Sequence, residues 1–166
     1  MAYNTIKIKK YLDIIVEKVA NAAITPGMLV EEMSTGKVRA HATSEGNVLP
    51  IFALEDELQG KGIDDAYAAA AQVQCWIPQR GEEVYAIIAD GNNIAISDWL
   101  ASNGDGYLKE HVAETESWAV SEAGEVTVLP LAIVAQAIEA VDTSDSSGGE
   151  SSATLGYARR CRVRIV

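Results

Sequence analysis

The chain has 166 residues, 48% of them hydrophobic, and a net charge of −11, enough for one domain with a real core. No apolar run approaches the ~18 residues of a membrane span, and no signal-type apolar stretch follows the Lys-rich start, so no membrane partner is expected and synthesis in a cytoplasm is. Residues 26–156 hold 5 Lys/Arg against 22 Asp/Glu, whereas both ends are basic; such a body repels nucleic acid and suits a basic protein surface.

Residues 1–25 read as an N-terminal arm and 26–166 as a β-rich body. Ile6 and Ile8 alternate with Lys7 and Lys9; Lys10 follows, and Leu12, Ile15, Val16, Val19 and Ala23 then take the spacing of one helical face. That spacing predicts a short helix, packed on its own body or on a neighbour. Pro26-Gly27 ends the arm as a turn. Met28-Leu29-Val30-Glu31 and Lys37-Val38-Arg39-Ala40-His41 flank Ser34-Thr35-Gly36 as a hairpin. Residues 47–54 form a strand that Pro50 confines to an edge or a bulge. Strands are expected at 73–77, 83–89 and 94–100, separated by the turn signals Pro78-Gln79-Arg80-Gly81 and Asp90-Gly91-Asn92-Asn93. Further strands are read at 107–112, 116–120 and 125–128. Residues 131–141 permit a helix by their Ala content, but a strand is the preferred reading for most of them. Residues 143–154 are a Ser/Gly-rich flexible excursion, and 157–166 a closing strand with Arg160, Arg162 and Arg164 opposite Cys161, Val163 and Ile165. Turns roughly every ten residues are the rhythm of a small β-sandwich or barrel-like body, mainly β, rather than of βαβ units.

The residues offer little chemistry. His41 and His111 lie 70 positions apart without metal-type company and read as solvated surface histidines. Cys75 and Cys161, with 85 residues between them and no CxxC, read as small buried hydrophobes. Gly60-Lys61-Gly62 lacks the rest of a phosphate loop, and Ile63-Asp64-Asp65 puts negative charge where phosphate would sit. Glu55-Asp56-Glu57 and Asp64-Asp65 read as a solvated charge cluster without EF-hand spacing. No catalytic, cofactor-binding or metal residue is assigned, and no cofactor is expected. On the strand 73–77, Val73, Cys75 and Ile77 point one way and Trp76 the other, so Trp76 needs a second buried layer or a subunit contact. Trp99 is opposed to the core residues of its strand in the same way, and the pair reads as subunit-contact positions.

From Gly27 to His111 the order of features resembles the small decoration, or cement, proteins of tailed-phage capsids. The resemblance rests on Pro26-Gly27-Met28-Leu29-Val30, on Leu49-Pro50-Ile51-Phe52-Ala53-Leu54-Glu55, on Gly60-Lys61-Gly62-Ile63-Asp64-Asp65-Ala66-Tyr67, and on the strand series through Val73, Val84 and Ile96. Where that family places Gly-Asp or Gly-Glu before a strand, this chain has Ala71-Gln72 and Ser97-Asp98, so a glycine-dependent turn needs another solution. The resemblance implies a non-enzymatic virion protein, made in the host cytoplasm, that binds the major capsid protein on the outer shell surface, commonly as a homotrimer. Lys7, Lys9, Lys10, Leu12, Ile15, Val16 and Val19 are then the candidate capsid contacts, since they combine charge for steering with an apolar surface to bury. A head–tail connector or tail-tube subunit is the nearer alternative, and a small hydrolase using Asp64 and Asp65 the more distant one.

Overall fold

The structure, a computed structural model, describes residues 14–112, 132–144 and 160–166. In chain order these hold β1 (Ile14–Val19), β2 (Val30–Glu32), β3 (Val38–Ala40), β4 (Phe52–Ala53), a 3-10 turn (Glu57–Gln59), β5 (Gln72–Ile77), β6 (Glu83–Ile87), β7 (Asn93–Ile94), β8 (Trp99–Ser102), β9 (Leu108–Glu110), β10 (Ile133–Ala137), β11 (Val141–Asp142) and β12 (Arg160–Ile165). The described residues are mainly β and form several antiparallel sheets, none of them closed into a barrel. The strands expected at 116–120 and 125–128 lie outside the described residues, as do 145–154 of the Ser/Gly-rich stretch.

The helix expected after residue 12 is corrected over residues 14–19, which form a strand. Ile14-Ile15-Val16 sets three β-branched side chains in a row; these are stiff on a helix and pack well on a pleated surface. β1 pairs antiparallel with β5 along its whole length, Ile15 opposite Trp76 and Val16 opposite Cys75, and β4 closes the other side of β5 with Phe52 opposite Trp76. Successive residues of a strand face opposite ways, so the supposed helical face divides: Val16 packs into one core while Ile15 is exposed. Pro50 confines β4 to two residues at the sheet rim, as a residue without an N–H donor should.

A second sheet runs in the order β6-β12-β10-β8-β9. Its inner face, with Val84, Ala86, Leu100, Ala135, Val163 and Ile165, meets Phe52 and Trp76 of the first sheet in one core. The other face of β5, with Val73 and Cys75, builds a second core with Ile24, Val38 and Tyr67. β5 therefore separates two cores, and Trp76 finds the second buried layer that its position demanded. Both cysteines are free and buried, and burial pushes each thiol up to about 11.

Three further expectations change. The strand read over 94–100 is broken into β7 and β8 by a turn in which Ser97 takes φ 80° and Asp98 accepts the Ala95 N–H at 2.7 Å. Residues 131–141 divide into β10 and β11, so the preferred strand reading holds for 133–137. Thr143, read as part of the flexible stretch, is buried; its hydroxyl donates to the Ala89 carbonyl at 2.8 Å and accepts the Asn92 N–H at 3.0 Å.

Candidate interaction surface

Cross-strand register defines the outward face of the five-stranded sheet. Trp99 lies opposite Gln136, Gln136 opposite Arg164, and Arg164 opposite Glu83; Arg162 lies opposite Tyr85 in the next row. Directly opposed residues of an antiparallel pair share a face, so an indole, a phenol, two guanidiniums, an amide and a carboxylate share one side of the sheet. Trp99 is 45% exposed and Tyr85 38%. Glu83 bridges Arg164 at 3.0 Å and Arg162 at 3.9 Å, and the Glu139 carboxylate accepts the Arg162 backbone N–H at 2.8 Å, so two carboxylates and two guanidiniums meet along β12. Trp, Tyr and Arg are the side chains that carry most binding energy at protein interfaces.

Arg160 shares that parity yet is buried. Its guanidinium donates to the carbonyls of Pro26 and Ile63 and to Asp64 Oδ1 at 3.1 Å, so the loops at 26–27 and 63–64 roof one end of the face. Gly27 makes the roof possible: at φ 87° its carbonyl accepts the Ile87 N–H, and a Cβ there would stand 2.9 Å from the Tyr85 carbonyl oxygen. Asp64, the centre of the hydrolase alternative, is thus held as the partner of a buried arginine.

Beside β6 a cleft of about 260 Å³ opens between the sheets, with Phe52, Trp76 and Val84 among its walls and Glu55 and Glu83 at its sides. Its volume falls below the ~300–1,000 Å³ of small-molecule sites and suits a single large side chain. A more open groove of about 600 Å³ runs past Leu49 and Ile133, both exposed.

The candidate residues are dispersed. Trp76 is half-buried in the first sheet and Trp99 exposed on the second, so the fold does not bring them together within one copy. Lys7, Lys9, Lys10 and Leu12 lie outside the described residues; Ile15 is exposed, Val19 half-buried, and Val16 packs against the second core. Tyr85, Gln136, Arg162 and Arg164 were missed as a set. The period-2 alternation of β6 and β12 carried their facing, but nothing local says that these strands adjoin.

His41 corrects the expectation of a solvated histidine. It is buried, with Nδ1 2.7 Å from Ser102 Oγ and Nε2 3.8 Å from Glu31 Oε2. Burial holds its pKa below the ordinary 6.5, against the Glu31 charge. Ser, His and Glu in sequence resemble a catalytic relay, but Ser102 is fully buried and its oxygen also accepts the Gly104 N–H at 3.1 Å, so the group ties β8 to the hairpin of β2 and β3. His111 is half-buried, its Nδ1 shielded from solvent and without a hydrogen-bond partner among the described residues. Among those residues, no three His, Cys, Asp or Glu side chains converge as a metal site would require.

No protein-family profile matches the chain, and no curated protein matches it. Among solved structures, the head fiber gp8.5 N base of bacteriophage phi29 is similar with a TM-score of 0.50 at 11% identity, over 93% of this chain and 94% of that one. At that identity the likeness is one of fold.

Proposed function

We propose that this chain is a non-enzymatic structural protein of a tailed-phage virion, which binds the outer surface of the assembled capsid as a trimer and stabilises it. The observation that carries the reading is the fold shared, over nearly the whole of both chains, with the base of a phage head fiber. The exposed Trp/Tyr/Arg face is consistent with it, because assembly needs complementary surfaces and not a pocket with a nucleophile. The shell contact is assigned to Lys7, Lys9, Lys10 and Leu12 with Ile15 and Val19 of β1, while Val16 anchors that strand from beneath. The major capsid protein is the partner.

The sequence resemblance favours a cement protein lying on the shell; the fold likeness favours a base from which a fiber stands. In either reading the proposed position is outside the shell, and cryo-electron microscopy of decorated particles separates them by the presence of density rising from the bound subunit. The binding test uses purified shells and the full chain. Removing residues 1–13 should leave the circular dichroism of the body unchanged and weaken co-sedimentation with shells at least tenfold. Undiminished binding would remove the assigned contact, and failure of the full chain to bind any tailed-phage shell would remove the reading itself.

A further inference from the structure

The turn between β8 and β9 contains Asn103-Gly104-Asp105-Gly106. Packing fixes its first glycine: Gly104 takes φ 93°, and a Cβ there would stand 2.8 Å from the Ser44 backbone nitrogen. The residue after Asn103 therefore has no side chain to shield its backbone nitrogen, and attack by that nitrogen on the Asn103 amide carbon closes a five-membered ring within the chain. Asn103 and Gly104 are half-buried and Asp105 is exposed, so water reaches the turn from one side.

On the other side stands the buried His41–Ser102 pair. Ser102 Oγ accepts the Gly104 N–H at 3.1 Å and lies 2.7 Å from His41 Nδ1. The acceptors around the ring assign its tautomer: Nε2 faces the Asn47 backbone carbonyl and, at 3.8 Å, Glu31 Oε2, so Nε2 carries the proton and Nδ1 accepts the Ser102 hydroxyl. A line of proton acceptors thus runs from the Gly104 nitrogen to the imidazole. At the other reacting group, Asn103 Nδ2 donates to Asp105 Oδ2 at 3.0 Å, and the Tyr107 N–H holds that carboxylate by its second oxygen at 3.0 Å.

We propose that Asn103-Gly104 is a self-modification site, at which the Gly104 nitrogen displaces ammonia from the Asn103 side chain with Ser102 and His41 taking the proton. The bond from Gly104 N to Asn103 Cγ forms and the Cγ–Nδ2 bond breaks. The Gly104 proton passes to Ser102 Oγ as the hydroxyl proton passes to His41 Nδ1. Ammonia leaves with a proton from water, and the hydroxide left behind takes the imidazolium proton and restores the relay. A second water then opens the cyclic imide to aspartate or isoaspartate. Two charges reach the ring: Glu31 on β2 favours the transient imidazolium and Arg39 on β3 opposes it. Ser102 on β8 and the Asn47 carbonyl are neutral, and Lys109 on β9 is paired with Glu45 at 2.7 Å.

The test incubates the full folded chain and follows residue 103 by peptide mapping, using the mass gain of an amide becoming an acid and enzymatic methylation of isoaspartate. A free peptide of residues 101–108, which lacks His41, gives the unassisted rate. The folded chain should convert at least about tenfold faster than the peptide, within the range of positioned acid–base groups. Its rate should rise with pH and level off once His41 is neutral, whereas the peptide's rate climbs with hydroxide throughout. Ser102→Ala and His41→Gln, checked for native circular dichroism, should fall to the peptide's rate or below. A folded wild type that converts no faster than the peptide, a wild-type rate that climbs with pH without levelling, or a folded Ser102→Ala protein that converts as fast as the wild type would each overturn the proposal. The first two results need only the wild type, so a variant that fails to fold cannot hide them.

Discussion

Ala70 and Ser97 take φ 66° and 80°, in the left-handed region that side chains with a Cβ occupy at a cost of ~1–2 kcal/mol. They adjoin or fill the places where the resembling family would use glycine, so the turn geometry survives here without its usual residue. Ala70 is exposed and has little packing to lose, so Ala70→Gly should raise stability by ~0.5–1 kcal/mol in chemical denaturation. Arg160 presents the opposite case, a residue whose loss exposes several debts at once: the carbonyls of Pro26 and Ile63 and the carboxylate of Asp64 all lose their donor. Arg160→Ala should destabilise by ~1.5–3 kcal/mol. Arg160→Lys should recover only a minor part, because an ammonium cannot match three acceptors fixed around a planar fork. His41 gives a pH dependence with a definite sign. Its folded pKa lies below the 6.5 of an unburied imidazole, so the unfolded chain binds more protons between the two values, and stability falls as pH drops through about 6.5 until the folded value is passed. Glu31 and Arg39 face the ring with opposite effects. Melting followed from pH 7.5 to 5 should show this loss, and His41→Gln should remove it.

At the scale of elements, facing was legible and pairing was not. The alternation in 73–77 and 157–166 assigns Val73, Cys75, Ile77, Cys161, Val163 and Ile165 to the interior, where all but the half-buried Ile77 are found. The turn Pro78-Gln79-Arg80-Gly81 is present, with Gly81 at φ 92°, yet the strands on either side of it enter different sheets. β6 finds its partner in β12, 81 positions away at the Glu83–Arg164 pair, and no local pattern encodes such a choice. The same reason hid His41, whose partner Ser102 stands 61 positions away. β1 failed differently: helical spacing and β-branching pointed in opposite directions, and the exposed side of β5 decided. Because β1 covers that side and Ala20 and Ile24 are fully buried, deletion of residues 1–24 should unfold or aggregate the protein, in contrast to deletion of 1–13. Val16→Ala within β1 should cost ~0.5–2 kcal/mol from lost packing alone; a body that melts normally without residues 1–24 would mean that β1 contributes nothing to it.

At the scale of the whole molecule, two cores share the single strand β5, and the outward face with Trp99 and the arginines is assembled from β6, β12, β10 and β8. β12 lies inside that sheet although it is synthesised after every other described strand. While the chain grows at ~5–20 residues per second, β6 and β10 wait with unpaired edges, and such edges invite pairing with foreign strands. Refolding should accordingly run in milliseconds to seconds, the range of folds dominated by distant pairings, and a chain ending at residue 159 should collect in the insoluble fraction. A soluble, cooperatively melting product of that length would disprove the point. The delay also has a benefit, since Arg162 and Arg164 arrive on the strand that completes the sheet: a ribosome-bound or prematurely ended chain has no finished surface to offer. The order of synthesis thus acts as an inspection step, because the face exists only on a completed chain.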